Sequence, residues 1–300
     1  MTQDLIGKTA ALGCAFIWAF AVILFKRSGE SMPPLTLNVY KSTIAGIVMI
    51  PLWYLSDPQL IPASVTRNEL LLLAVSGIIG ITIADSLFFV CLNMLGAGTY
   101  AILDCIYSPS MIFLSWLLLG ESLTPSHFLG SGLVITGILL VTSDQGIYKH
   151  RSLRTWILGS LAGISAVLLM VFSIVFVKPI IDRNSAIMIV ECRMLPAVAG
   201  LHVMALFNRK RRTIYRTMMT RRAFHLAMPG ALLGNVLSML LWVAAFKYTD
   251  MGSASILNQT SVIFVVVLAA IFLKESLDGR RITATLLGFI GSAIILSGCI

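Results

Sequence analysis

Five ionisable residues stand inside long apolar runs of this chain: Lys41, Asp85, Asp104, Glu191 and Arg193. Each costs several kcal/mol to bury without a partner. Such residues persist in apolar surroundings because they pair with one another, bind a polar ligand or carry a proton. Lys41 and Arg193 offer fixed positive charge to an anionic group. Asp104 offers negative charge and shares one helical face with Tyr100, Tyr107 and Ser108, at spacings of four, three and four residues. This stripe can line a polar cavity, its rings stacking on the apolar part of a ligand. Tyr100 equally suits the aromatic belt at a membrane surface. Asp85 stands near the middle of its run, where a carboxyl can take a proton from one side and release it to the other. A fixed ion pair with Lys41 or Arg193 is the competing reading. Lys41, Asp104, Tyr107 and Arg193 are thus expected to bind substrate, and Asp85 and Glu191 to couple protons or form ion pairs.

The elements that hold these residues are set by composition. Charged residues are 12% of the chain and hydrophobic residues 58%, against about 25% charged in ordinary soluble proteins. The surplus apolar surface must face lipid. Ten runs are long and apolar enough to cross a bilayer as helices, at 6–25, 35–55, 70–95, 99–119, 127–143, 155–177, 186–207, 224–246, 253–273 and 282–300. The first lacks the basic leader and small-residue cleavage site of a signal peptide, so it reads as the first helix. Trp18, Trp242 and Asn235 fall mid-run, where a tryptophan marks a cavity wall or packs against lipid or core. The five cysteines are scattered without paired spacing and read as small apolar fillers.

The stretch LLLGESLT at 117–124 recurs as IFLKESLD at 271–278, a shift of 154 residues in a chain of 300. At that shift Gly80 meets Gly234, Gly98 meets Gly252 and Gly137 meets Gly291. Each half, 1–145 and 155–300, therefore carries five helices. An odd number inverts the second half in the membrane, as in many secondary transporters. Lys41 and Arg193 become near-equivalents. Asp104 meets Asn258, which joins the expected binding set as the neutral counterpart of an acid. Fifteen Lys and Arg residues fall on one side of the resulting topology and five on the other. The richer side is expected to be cytoplasmic, with both termini extracytoplasmic. The run RKRRTIYRTMMTRR at 209–222 reads as a topology anchor, with a nucleic-acid or anionic-lipid site as the alternative.

On these residues the chain resembles the drug/metabolite transporter superfamily, in particular its ten-helix EamA-type permeases. Leu119-Gly120-Glu121-Ser122-Leu123 and Leu273-Lys274-Glu275-Ser276-Leu277 are similar to the family's turn between the fourth and fifth helices of each half, and glycine-bearing helices follow both. Glu121 and Glu275 are expected to secure those turns structurally. Pro109 matches the family's habit, and Ile263 departs from it in the second half. The resemblance implies an all-α integral membrane protein that moves a small organic metabolite by alternating access, by analogy exporting an amino acid or related compound. The host membrane would be the inner membrane in a bacterium.

Walker A, HExxH and GxSxG motifs are absent, and the four histidines are spread apart. The chain is expected to be no enzyme and to need no cofactor or metal. Its partners are a small-molecule substrate and the lipid bilayer, not nucleic acid, and a monomer is compatible with that. Uncoupled facilitation or exchange is the alternative mechanism. A non-transporting scaffold or receptor, or a membrane-embedded enzyme, are the alternatives from other classes.

Overall fold

The computed structural model describes residues 2–56, 60–120, 125–142, 152–221, 223–249, 251–275 and 278–297. The described residues are helical throughout their ordered elements and contain no strand. Eight helices are long and apolar enough to cross a membrane. Numbered along the chain with two further helices, they are α1 (Gln3–Gly29), α2 (Pro34–Ser56), α3 (Arg67–Leu95), α4 (Ala97–Leu118), α5 (Pro125–Thr142), α6 (Leu153–Val175), α7 (Ala186–Phe207), α8 (Ala223–Tyr248), α9 (Met251–Leu273) and α10 (Gly279–Ser297). Only α5 and α10 fall short as spans. Their described apolar parts are Phe128–Gly137 and Ile282–Gly291.

The molecule is turned inside out relative to a soluble protein. Leu55, Leu71, Leu117, Leu161 and Ile271 are exposed, while Lys41, Asp85, Glu191 and Arg193 are buried. Exposed apolar residues repeated along helix after helix have no stable contact with water, whereas hydrocarbon accepts them. The chain is a multi-pass integral membrane protein.

Packing follows the repeat. Helix α1 lies against α8 and α9, and α6 lies against α3 and α4. Helix α7 lies against α3 and α2 against α8, and three further pairings join equivalent helices, α2 with α7, α4 with α9 and α5 with α10. The α5–α10 seam is close because Gly137 has no Cβ, which would stand 2.8 Å from the Ala284 carbonyl oxygen.

Two backbone departures also recur at the repeat shift. A π-helical segment occupies Ile78–Ala84 in α3 and Leu232–Ser238 in α8, each end separated by the same 154 residues. Helix α4 breaks at Cys105 and Ile106, and α9 breaks at Thr260. At both breaks the backbone tightens to i→i−3 bonds, Ile106 N–H to Leu103 O at 3.2 Å and Thr260 N–H to Leu257 O at 3.2 Å. The local causes differ. Pro109 has no N–H to give the Cys105 carbonyl. In α9 the Thr260 hydroxyl donates to the Leu257 carbonyl at 2.7 Å, a side-chain bond that bends helices. The second half therefore breaks at the matching place despite Ile263 standing where Pro109 would be.

Candidate functional site

A cavity of about 90 Å³ lies where the two halves meet, lined by three helices from each. The first half contributes Trp18 from α1, Asp85 from α3, and Tyr100, Asp104 and Tyr107 from α4. The second half contributes Met170 from α6, Asn235, Ser238 and Trp242 from α8, and Asn258, Gln259 and Ser261 from α9. The volume is enough for several waters.

The residues around it form two polar groups. In the first, Lys41 of α2 reaches through the bundle to Asp85, Nζ to Oδ2 at 2.6 Å, with both side chains almost fully buried. Its ammonium also donates to Asn235 Oδ1 at 3.1 Å and stands 5.5 Å from the centre of the Phe89 ring. A buried pair of this kind adds little net stability, but either charge left alone is strongly destabilising. The π segment ahead of Asp85 loosens the α3 backbone. Asn38 of α2 answers by donating to the Ile81 carbonyl at 2.9 Å and to Ser86 Oγ at 2.9 Å. Helix α2 therefore holds both the acid and the turn that carries it.

The second group surrounds the helix breaks. The Tyr100 hydroxyl donates to Asp104 Oδ1 at 3.2 Å, across one turn of α4. Gln259 of α9 donates to the Asp104 carbonyl at 3.2 Å and accepts from Ser108 at 3.1 Å. Trp242 Nε1 donates to the Tyr107 hydroxyl at 3.0 Å, joining α8 to α4 across the cavity. Asp104 has no cationic partner among the described residues.

Arg193 and Glu191 sit apart from this lining. The guanidinium of Arg193 donates to Ser76 Oγ at 2.8 Å and to Ser173 Oγ at 3.2 Å, and lies 5.7 Å from the Trp242 ring. Its Nη1 has no partner. The α3 backbone comes close beside it, since a Cβ on Gly77 would stand 1.9 Å from the Arg193 carbonyl oxygen. Glu191 is completely buried with both carboxyl oxygens unpartnered. Of the expected set, Asp85, Asp104, Tyr107 and Asn258 thus line the cavity. Lys41 touches one lining acid, Arg193 packs behind one lining ring, and Glu191 does neither.

The sequence reading placed Glu275 at a turn between α9 and α10. Its carboxylate accepts Ala97 N–H at 2.9 Å and Gly98 N–H at 3.0 Å, capping the first turn of α4 in the other half. Gly96 makes room for it. Its φ of 95° belongs to the left-handed region that favours glycine, and a Cβ would stand 2.8 Å from Glu275 Oε1. Glu121 lies outside the described residues. Gln259 was missed as a polar cavity residue. Its spacing of one from Asn258 and two from Ser261 put it within the same polar stretch of an apolar run.

Comparison with known proteins agrees with this arrangement. The model of a family described as EamA-like transporters matches the chain twice, over residues 5–143 and 157–297. An uncharacterized transporter from Archaeoglobus fulgidus is 21% identical over 282 residues, covering 94% of this chain and 93% of that protein. A solved crystal structure superposes with a TM-score of 0.69 at 16% identity, over 99% of this chain and 98% of the other. At that identity the likeness shows the fold alone.

Proposed function

Because the chain belongs to the EamA-like transporter family and moves a substrate across a membrane, we propose that it is a secondary transporter exporting a small organic metabolite, an amino acid or related amino compound, by alternating access. The observation that carries this reading is the cavity between the halves, with the unpaired carboxylate of Asp104 set among aromatic rings. A carboxylate there binds an ammonium group. Tyr107 and Trp242 stack against the apolar part, and Asn258 adds a hydrogen bond. The matched π segments and helix breaks support the motion, since each half carries the same yielding points beside the cavity.

Lys41 balances the charge of Asp85, and Arg193, held by two serine hydroxyls, adds a second buried positive charge. Asp85 is the proton-coupling group. When Asp85 takes a proton its attraction to Lys41 falls, and the α2–α3 contact that holds one state weakens. Glu191, buried without a partner, is the second group able to hold a proton. The excess of Lys and Arg on one side supports extracytoplasmic termini and, in a bacterium, the inner membrane.

Proteoliposomes loaded with a labelled panel of amino acids, amines, sugars and nucleosides test the reading. Selective efflux of an amino compound, enhanced by an imposed pH gradient, is expected. Selective efflux indifferent to pH favours uncoupled exchange, with the 2.6 Å Lys41–Asp85 pair as a fixed strut. Asp85→Asn separates these two mechanisms. Exchange survives it, and proton-driven accumulation does not.

A further inference from the structure

We propose that Asn235 is a specificity-determining residue that recognises a hydrogen-bond acceptor of the substrate, the carboxylate of an amino acid, in the same cavity as the ammonium site at Asp104. The proposal rests on the reading of the chain as a carrier of small amino compounds. Asn235 is 1% exposed and lines the cavity. An ammonium group has only protons to give, so the amide atom facing Lys41 at 3.1 Å is the oxygen. That contact sets which way round the amide sits. Its Nδ2 is then the remaining face, and this donor has no partner. A buried amide donor left unpaired is costly unless a ligand or water completes it.

The chemistry that the other repeat brings to the cavity differs. Asp104 and Tyr100 come from α4 in the first half, and Asn235 comes from the π segment of α8 in the second. The cavity therefore holds an acceptor without a cation, Asp104, on one repeat and an unpartnered donor, Asn235 Nδ2, on the other. A zwitterion satisfies both, and its side chain faces the rings of Trp18, Tyr107 and Trp242. In this arrangement Lys41 is a positioning residue. It holds the Asn235 amide with its nitrogen free and does not itself touch the substrate. Asp85 in turn holds Lys41.

The test compares amino acids with their decarboxylated amines, L-leucine with isopentylamine and L-phenylalanine with phenethylamine, in equilibrium binding and in proteoliposome flux. Each pair differs only in the carboxylate. In the unaltered protein the amino acid is expected to bind more tightly than its amine. Asn235→Ala should weaken the amino acid by about 10- to 100-fold, as for a hydrogen bond to a charged group, and leave the amine unchanged. Lys41→Gln should narrow the same ratio, because the amide loses the group that orients it. Equal losses for both members of a pair in Asn235→Ala overturn the assignment and leave the transport reading standing. Binding with the expected ratio but without flux supports the assignment and overturns transport. No binding of any of the four compounds by folded protein overturns both.

Discussion

The two halves of this transporter share a backbone and divide the chemistry. The π segments at 78–84 and 232–238 match end for end across the repeat and the helix breaks match to within a residue, while a further π segment at Ala223–Ala227 has no counterpart in the first half. The side chains at matching places differ. Asp85 faces Met239 across the repeat, Asp104 faces Asn258, Tyr107 faces Ser261, Pro109 faces Ile263 and Asn235 faces Ile81. Under the proposed alternating access, backbone symmetry would give the bundle two mirrored ways to open. Side-chain asymmetry gives a bound molecule one orientation. A polar molecule in a cavity with like walls would have two equivalent poses.

The comparison can be broken most severely at Lys41. Lys41→Met leaves Asp85 buried without its cation and should cost about 3–5 kcal/mol of stability, read as a lower midpoint in thermal or denaturant unfolding in detergent. Lys41→Met combined with Asp85→Met gives the first half the apolar residue that the second already has at Met239, and should recover most of that loss. A double variant no more stable than the single would mean that Lys41 acts through something other than Asp85.

Asp104→Asn makes the first half match Asn258. It removes the only carboxylate among the described cavity residues that lacks a cation, and substrate flux should fall about 100-fold with little change in stability. The reverse change, Asn258→Asp, should not restore it when the two are combined, because Tyr100 and the Tyr107–Trp242 contact remain on the α4 side. Restoration would show that the halves are interchangeable at the site. Glu275→Ala removes two charge-assisted hydrogen bonds from the start of α4 and should lower stability by about 1–2 kcal/mol. The smallest effect is expected at Pro109→Ala, less than about 1 kcal/mol, since α9 breaks at the equivalent place without a proline. A large loss there would mean that the two breaks are held differently.

Much of this architecture was legible in residue order because bilayer thickness demands long apolar runs, and the second Glu-Ser-Leu reveals the repeat. The ionisable residues were legible for the same reason, as charges stand out in a 58% hydrophobic chain. Their partners were not. Lys41 and Arg193 are near-equivalent in the repeat, yet Lys41 meets Asp85 and Arg193 meets two serine hydroxyls and an indole. That difference arises from which helix packs alongside, a property of the docked halves. The π segments were also hidden. IIGITIA and LLGNVLS share a glycine and little else, and a wider helical turn has no composition of its own. Glu275 was readable as a turn residue, and the two hydrogen bonds its carboxylate makes to the other half were not.

That contact has a consequence for the making of the protein. The amides of Ala97 and Gly98 are completed by a side chain 178 and 177 residues further along. At about 5–20 residues per second of synthesis, the wait is about 10 to 35 s. During that interval the first half is already threaded, and the start of α4 has two donors without their final partner. The second half thus acts as a late clasp on the first. The seam between the halves closes only once Glu275 has been made, which keeps a first half standing alone from adopting its working shape.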